Sequence, residues 1–362
     1  MSPMALSRRR RTPRTAANRS AMRWGPGFLA IAALQACAPS QVASEPRSPP
    51  AACSYYDAHA HLISSDIGRY PRNPMVPPPL TAQSPLGPGR VGIPGGMHGP
   101  HPVNLKPTAE QMLEWMAQEG VCAIAAVQKG MIYRTDNRYI VDAATLYPDH
   151  MVAVAIVDPQ AAETPRIMRA LASRGVVGVR FFGTGIDDEL AWMTCGRAQA
   201  IWALADELGL VVDIEAPMTD GTRLIPAIAA MADLHPDMPI VLDHVLMPET
   251  EAPQYGLDEA YLPLAERKNV FVKFTSLNMD VIREHGFAPA AVLRRVVDLF
   301  GADRVMWGSD IGTSSGTYAE MVQRAVEATA LLDESERRAV LRDTGWRVFE
   351  RALSKQTPLM EF

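Results

Sequence analysis

"GRAQAIWALADELGLVVDIEA", residues 196 to 216, holds one complete structural transition. A helical pattern runs to Gly209, the residue type that accepts a left-handed cap, and the chain then turns at once into the apolar run "LVVDIEA". Just upstream, "GVVGVRFF" at 175–182 is a similar run, so helix 196–209 sits between two strands. The same order recurs on both sides. Apolar runs lie at 53–58, 121–127, 151–157, 239–244, 269–275 and 303–310, and good helix patterns at 108–120, 162–175 and 289–301. Most of the runs are continuously apolar rather than alternating, as in parallel strands buried on both faces. Eight strand–helix units in about 310 residues match the size and rhythm of a (β/α)8 barrel, an α/β fold. A doubly wound open sheet is the alternative, but no G-x-G-x-x-G motif stands directly after an early strand.

The chain has 362 residues, 48% apolar and 21% charged, enough for one large domain with a sizeable core. Its first 36 residues carry seven arginines and no acid, so a formal charge of −5 for the whole becomes −12 for residues 37–362, which argues against a nucleic-acid partner. "GFLAIAALQACAPS" after this basic start has the layout of a secretory signal. The expected organisation is a leader at 1–37, a Pro/Ser/Ala-rich linker at 38–52 and a barrel at 53–362. The protein is expected to be exported, either free in the periplasm or tethered to the membrane through a lipidated Cys37 in "LQAC"; the true start is Met1 or Met22. The cysteines at 37, 53, 122 and 195 show no C-x-x-C spacing, so no disulfide framework is expected and Cys122 is expected to be core.

In a (β/α)8 barrel the chemistry gathers at the C-terminal strand ends. The polar groups there are His59 and His61, Lys129, Arg180, Asp213 and Glu215, Asp243 and His244, Lys273, and Asp310. Two-residue spacing turns His59 and His61 to one side of the first strand, with Asp57 one step deeper on the same side. Two imidazoles and a carboxylate suit zinc or a similar ion. Lys273 alternates with Val272 and Phe274, so it points into the barrel, where it can partner a buried acid. The stretch from 62 to 107, rich in Pro and Gly, is too long for an ordinary connection and is expected to form a lid over the site. His98 and His101 within it are expected to face solvent.

"DAHAH" at 57–61, "GVR" at 178–180, "LDH" at 242–244 and "WGSD" at 307–310 stand in order on four of these strands. Together they resemble the amidohydrolase superfamily, in its amidohydrolase-related branch of lactonases and non-oxidative decarboxylases, over residues 54 to 350. The resemblance implies a barrel in which His244 polarises the scissile group, Asp310 handles the proton of water, and His59 and His61 serve at the first strand. Metal-binding members carry a histidine at the end of strand five; "VVDIEAPM" here has none. His59, His61 and Asp310 are therefore three ligands for a zinc or manganese ion, with Glu215 as a less favoured fourth. The branch similar to 2-pyrone-4,6-dicarboxylate lactonase works without a metal, and a metal-free site is favoured on this reading.

The expected activity is a hydrolase that opens a small carboxylated lactone or related cyclic ester with water activated by Asp310. Arg180 would anchor a substrate carboxylate bidentately, supplemented by Lys129 and Tyr133, which makes the expected partner a small acidic molecule. The alternative is a metal-dependent decarboxylase of an aromatic or unsaturated acid. A binding lipoprotein that lost turnover is a third possibility, and pairing into a homodimer is compatible with such a barrel.

Overall fold

The computed structural model describes residues 48–50, 53–73, 106–182, 193–215 and 221–355, the last five by backbone alone. The leader, Cys37, Met22 and most of the expected lid, including His98 and His101, lie outside the described residues.

Eight strands form one parallel sheet in sequential order: β1 Tyr55–Ala60, β2 Val121–Val127, β3 Met151–Ile156, β4 Gly178–Phe182, β5 Val211–Glu215, β6 Ile240–Leu242, β7 Val270–Thr275 and β8 Val305–Gly308. Helices Ala109–Glu119, Thr164–Ala172, Gly196–Glu207 and Pro289–Phe300 occupy the stretches where helical patterns were expected. The first starts at a capping box on Thr108 and stops at Gly120, whose φ of 73° and N–H to Met116 close the last turn. β8 returns to β1: the Asp310 N–H donates to the His59 carbonyl at 2.7 Å, and the His61 N–H to the Ile311 carbonyl at 3.1 Å. The ring is therefore the (β/α)8 barrel rather than an open sheet.

Two apolar layers follow from the alternation along the strands. Outward side chains such as Ile124, Val179, Val212 and Ile240 pack against the helices through Met116, Trp202 and Leu293. Each buried side chain of this kind contributes roughly 1.5–3 kcal/mol. Inward, Tyr56, Val154, Val241 and Met306 meet Trp346 and Phe349 of the terminal helix Thr344–Lys355, which plugs the N-terminal end of the barrel. The opposite end is left for polar groups.

β1 departs from regular alternation. Its pairing with β2 shifts between Asp57 and Ala60, so Tyr56 and Ala58 join the inner cluster while His59 also faces inward. Asp57 consequently does not share the histidines' side. Its carboxylate accepts from the Ser309 N–H at 2.8 Å and the Tyr318 hydroxyl at 3.1 Å, clamping β8 and an outer helix to β1.

The cysteines also depart from expectation. Cys53 and Cys122 form a disulfide with Cα atoms 5.3 Å apart, joining the starts of β1 and β2 across 69 residues of chain. Spacing along the sequence carried no sign of it, because the pairing is made by parallel neighbours whose register only the sheet defines.

Candidate active site

His59 and His61 stand at the end of β1 with their rings fixed through opposite partners. His59 Nδ1 lies 3.2 Å from Asp243, and His61 Nδ1 lies 2.8 Å from the Val127 carbonyl. A carbonyl only accepts, so His61 Nδ1 carries the proton; at His59 the ionised Asp243 is nearer to Nδ1 than the Lys273 ammonium at 3.4 Å, so there too Nδ1 carries the proton and Nε2 a lone pair. Burial keeps both imidazoles neutral, pushing His59 well down and His61 to about 4.

The two Nε2 atoms point at Asp310. Its Oδ1 is 3.2 Å from His61 Nε2 and 3.7 Å from His59 Nε2. Burial would raise this carboxyl, and the imidazoles of His61, His244 and His59 pull it well below the usual carboxylate range, a pull they exert in their protonated forms. Its other oxygen accepts from the Ser314 hydroxyl at 3.0 Å. His59 Nε2 and Asp310 Oδ1 are both buried and without a hydrogen-bond partner.

Three electron-pair donors thus face one point inside the protein, each group under 3% exposed. Such a set repels itself unless a cation lies at its focus, and two imidazoles with a carboxylate suit zinc or manganese. Their far sides are tied to a carboxylate and a carbonyl, as orienting partners of metal-ligating histidines are. The donor set fits a divalent ion, and the expectation of a metal-free site finds no support. Glu215 is no part of this cluster.

His244 reaches the same cavity by an unusual backbone. Four consecutive residues, His244 to Met247, have φ between 53° and 57°, the left-handed region that costs L-residues roughly 1–2 kcal/mol each. Asn278 and Tyr261 hold the turn by donating to the carbonyls of His244 and Val245, each at 2.8 Å. Asp310, at φ 51°, is strained in the same way. His244 Nδ1 meets the Thr275 hydroxyl at 2.7 Å, and that hydroxyl donates onward to Asn278 Oδ1 at 3.1 Å. His244 therefore also presents a lone pair at Nε2. In this state Nε2 faces the cavity as a hydrogen-bond acceptor.

Beneath the histidines lies a charge network. Asp243 receives Arg180 Nε at 2.6 Å and lies 3.1 Å from Lys273 Nζ, which also binds Asp213. Burial pushes Asp213 up to about 7; Lys273 and Arg180 overcome the same push at Asp243 and hold it well down. Arg180 Nη2 also lies 3.3 Å from Glu215 Oε2. The guanidinium expected to grip a substrate carboxylate is thus already held between two carboxylates of the barrel.

His61, Lys129, Arg180, Glu215, His244 and Asp310 line one cavity at the barrel mouth, walled by Phe182, Met247 and Leu277. The Lys129 ammonium donates to the Thr313 hydroxyl, and burial lowers it to about 8 against the pull of Asp310 and Glu215. Tyr133 lies outside this lining. Its hydroxyl accepts from the Ser64 N–H at 3.0 Å while its ring packs on Ile63 and Tyr70, so it braces the segment after β1. A roomier hollow of about 550 Å³, lined by Arg69, Glu110 and Asp142 among others, lies elsewhere and contains none of the converging groups. Asp213 and Lys273, deeper in the barrel, and Thr275 and Asn278, behind His244, complete the site without reaching the cavity lining.

The family model for the amidohydrolases matches residues 56–351, most of the chain. The protein belongs to the amidohydrolase family. Among curated proteins, this amidohydrolase is similar to L-fucono-1,5-lactonase of Burkholderia ambifaria, 27% identical over 206 residues, which is 54% of this chain and 66% of the lactonase. The match therefore spans just under two thirds of that relative's length. Among solved structures it resembles a candidate 2-pyrone-4,6-dicarboxylic acid hydrolase from Pseudomonas putida, 20% identical with a TM-score of 0.59, covering 82% of this chain and 98% of that one. It also resembles an amidohydrolase from Burkholderia multivorans solved with zinc bound, 18% identical with a TM-score of 0.60, covering 82% and 99% respectively. At these identities the structural likeness establishes the barrel alone.

Proposed function

We propose that this amidohydrolase opens a small lactone ring with water, and that Asp310 takes the proton of that water. The observation that carries the reading is the focus formed by Asp310 Oδ1 and the Nε2 atoms of His59 and His61, buried beside the cavity that Lys129 and His244 line. The Ser314 hydroxyl donates to the other oxygen of Asp310 and fixes the carboxyl, as a positioned general base must be. His244 Nε2 accepts a second hydrogen bond from the water or the ring and so orients it. As the water oxygen bonds to the acyl carbon, the Lys129 ammonium faces the negative charge that develops on the carbonyl oxygen. The ring C–O bond then breaks, the departing oxygen receives the proton held on Asp310, and a hydroxy acid leaves.

His59, His61 and Asp310 would hold a divalent ion, which when bound supplies Lewis-acid polarisation of oxygen. Similarity to a lactonase supports the substrate class. An acidic substrate is not part of the reading, because Arg180 is engaged by Asp243 and Glu215. Export is part of it: a disulfide between Cys53 and Cys122 persists in an oxidising compartment.

The test is hydrolysis of a panel of five- and six-membered lactones, with elemental analysis of the protein and a chelator arm. Asp310→Asn should lose about 10²–10⁴ in turnover while still binding the lactone. Full turnover by Asp310→Asn, or release of carbon dioxide from aromatic acids with no lactone opened, would sink the reading.

A further inference from the structure

We propose that Glu215 sets the charge of the substrate, selecting an uncharged hydroxylated ring and rejecting carboxylated ones; the inference rests on the lactonase reading. Glu215 is the last residue of β5, two beyond Asp213, and both lie on the face that meets Arg180. Its Oε2 stands 3.3 Å from Arg180 Nη2, while Arg180 Nε is already 2.6 Å from Asp243. One guanidinium therefore serves two carboxylates. A substrate carboxylate arriving there would be a third, placed against Glu215 and within the same cavity as Asp310.

The Glu215 side chain lines the cavity and is 16% exposed among site groups that are nearly sealed, with its Oε2 buried against Arg180. The exposed part of the carboxylate can accept from a substrate hydroxyl. Like charges brought together in such a site are strongly disfavoured, and a polar group left without its donor penalises the wrong ligand further. Lys129 adds no place for a carboxylate, since its ammonium donates to Thr313 and serves the carbonyl oxygen of the lactone. The departure at the end of strand five thus has a positive role. A carboxylate in that position converts Arg180 from a substrate anchor into part of the wall.

Glu215→Gln keeps the shape and the acceptor and removes the charge. Burial pushes Glu215 up to about 7 against the pull of Arg180, so its charge is present above that pH. In the full-length protein at pH about 8, kcat/KM is compared for a matched pair, a neutral hydroxylated aldonolactone and a lactone bearing a free carboxylate, and glutarate binding is measured by calorimetry. The wild type should favour the neutral ring by about 10²-fold, and Glu215→Gln should shrink that ratio at least about tenfold while tightening glutarate by a similar factor. A wild type that prefers the carboxylated ring, or a variant with unchanged ratio and unchanged glutarate binding, overturns the proposal. If neither lactone is opened by either protein, the lactonase reading fails, and glutarate binding alone decides charge selection. Should Glu215→Gln not fold, the wild-type preference decides.

Discussion

Asp243 holds His59 by its Nδ1 at 3.2 Å, and that contact determines which edge of the ring faces Asp310. The carboxylate is itself fixed by Arg180 and Lys273, so the lone pair at His59 Nε2 depends on residues from β4, from the turn after β6 and from β7.

Asp243→Asn can offer an amide N–H to Nδ1 and drive the proton to Nε2, where it blocks the focus. Zinc affinity measured by competition with a chromophoric chelator should fall 10–100-fold, the usual effect of removing an orienting partner. Because Arg180 and Lys273 would lose a buried counter-charge, a lowered melting temperature should accompany it. Unchanged zinc affinity would mean that His59 keeps its tautomer without Asp243.

Lys129 gives the site an alkaline limit. Burial lowers its ammonium to about 8, so the charge that the proposed lactone hydrolysis sets against the developing oxyanion is present below that pH and lost above it. The profile of kcat/KM against pH should descend through about 8, and Lys129→Met should flatten that limb while lowering the plateau about 10–10²-fold. A limb that survives Lys129→Met belongs to another group.

Gly308 is required by close approach between strands. A Cβ at this position would lie 2.5 Å from the His59 Cβ and 3.1 Å from its backbone nitrogen, so β8 could no longer pack on β1. Gly308→Ala should cost about 1–3 kcal/mol of stability, as overpacking typically does, and should impair turnover through displacement of His59. Thermal unfolding and kcat measured on the same preparation check both; a variant with wild-type values would show that β1 gives way freely.

The Cys53–Cys122 disulfide closes 69 residues of chain, and loop entropy alone assigns it about 4 kcal/mol. Reduction, or Cys122→Ser, should lower the melting temperature by several degrees without changing kcat, since the bond lies at the opposite end of the barrel from Asp310. Identical melting curves with and without reductant would remove the disulfide from the account of stability.

Much of the fold was legible because its signals are local. Continuous apolar runs ending in Gly-capped helices repeat along the chain, and the eight strands fall on the eight runs. The ends of those strands also marked out His59, His61, His244, Asp310, Lys129, Arg180 and Glu215, since a barrel brings strand ends together whatever their spacing in sequence. Tyr133 was misplaced by the same logic: it follows β2 but sits on the short helix Gly130–Tyr133, which turns it toward Ser64.

The pairings were not legible, because each is set by geometry between distant strands. The irregularity in β1 turned Asp57 away from the histidines, and parallel neighbours joined Cys53 to Cys122. Which proton each histidine carries depends on Asp243, Val127 and Thr275, acceptors that only the closed barrel brings within reach. Arg180 makes the point most sharply. Its sequence position says that it enters the barrel, but only the packed interior reveals that Asp243 and Glu215 have already taken its charge. The sequence by itself determined a (β/α)8 barrel and the polar groups at its mouth, because strand and helix periodicity is a property of neighbouring residues. Tertiary structure alone decided their protonation, their partners and the charge left for a substrate, because buried electrostatics depends on what lies a few ångströms away in space.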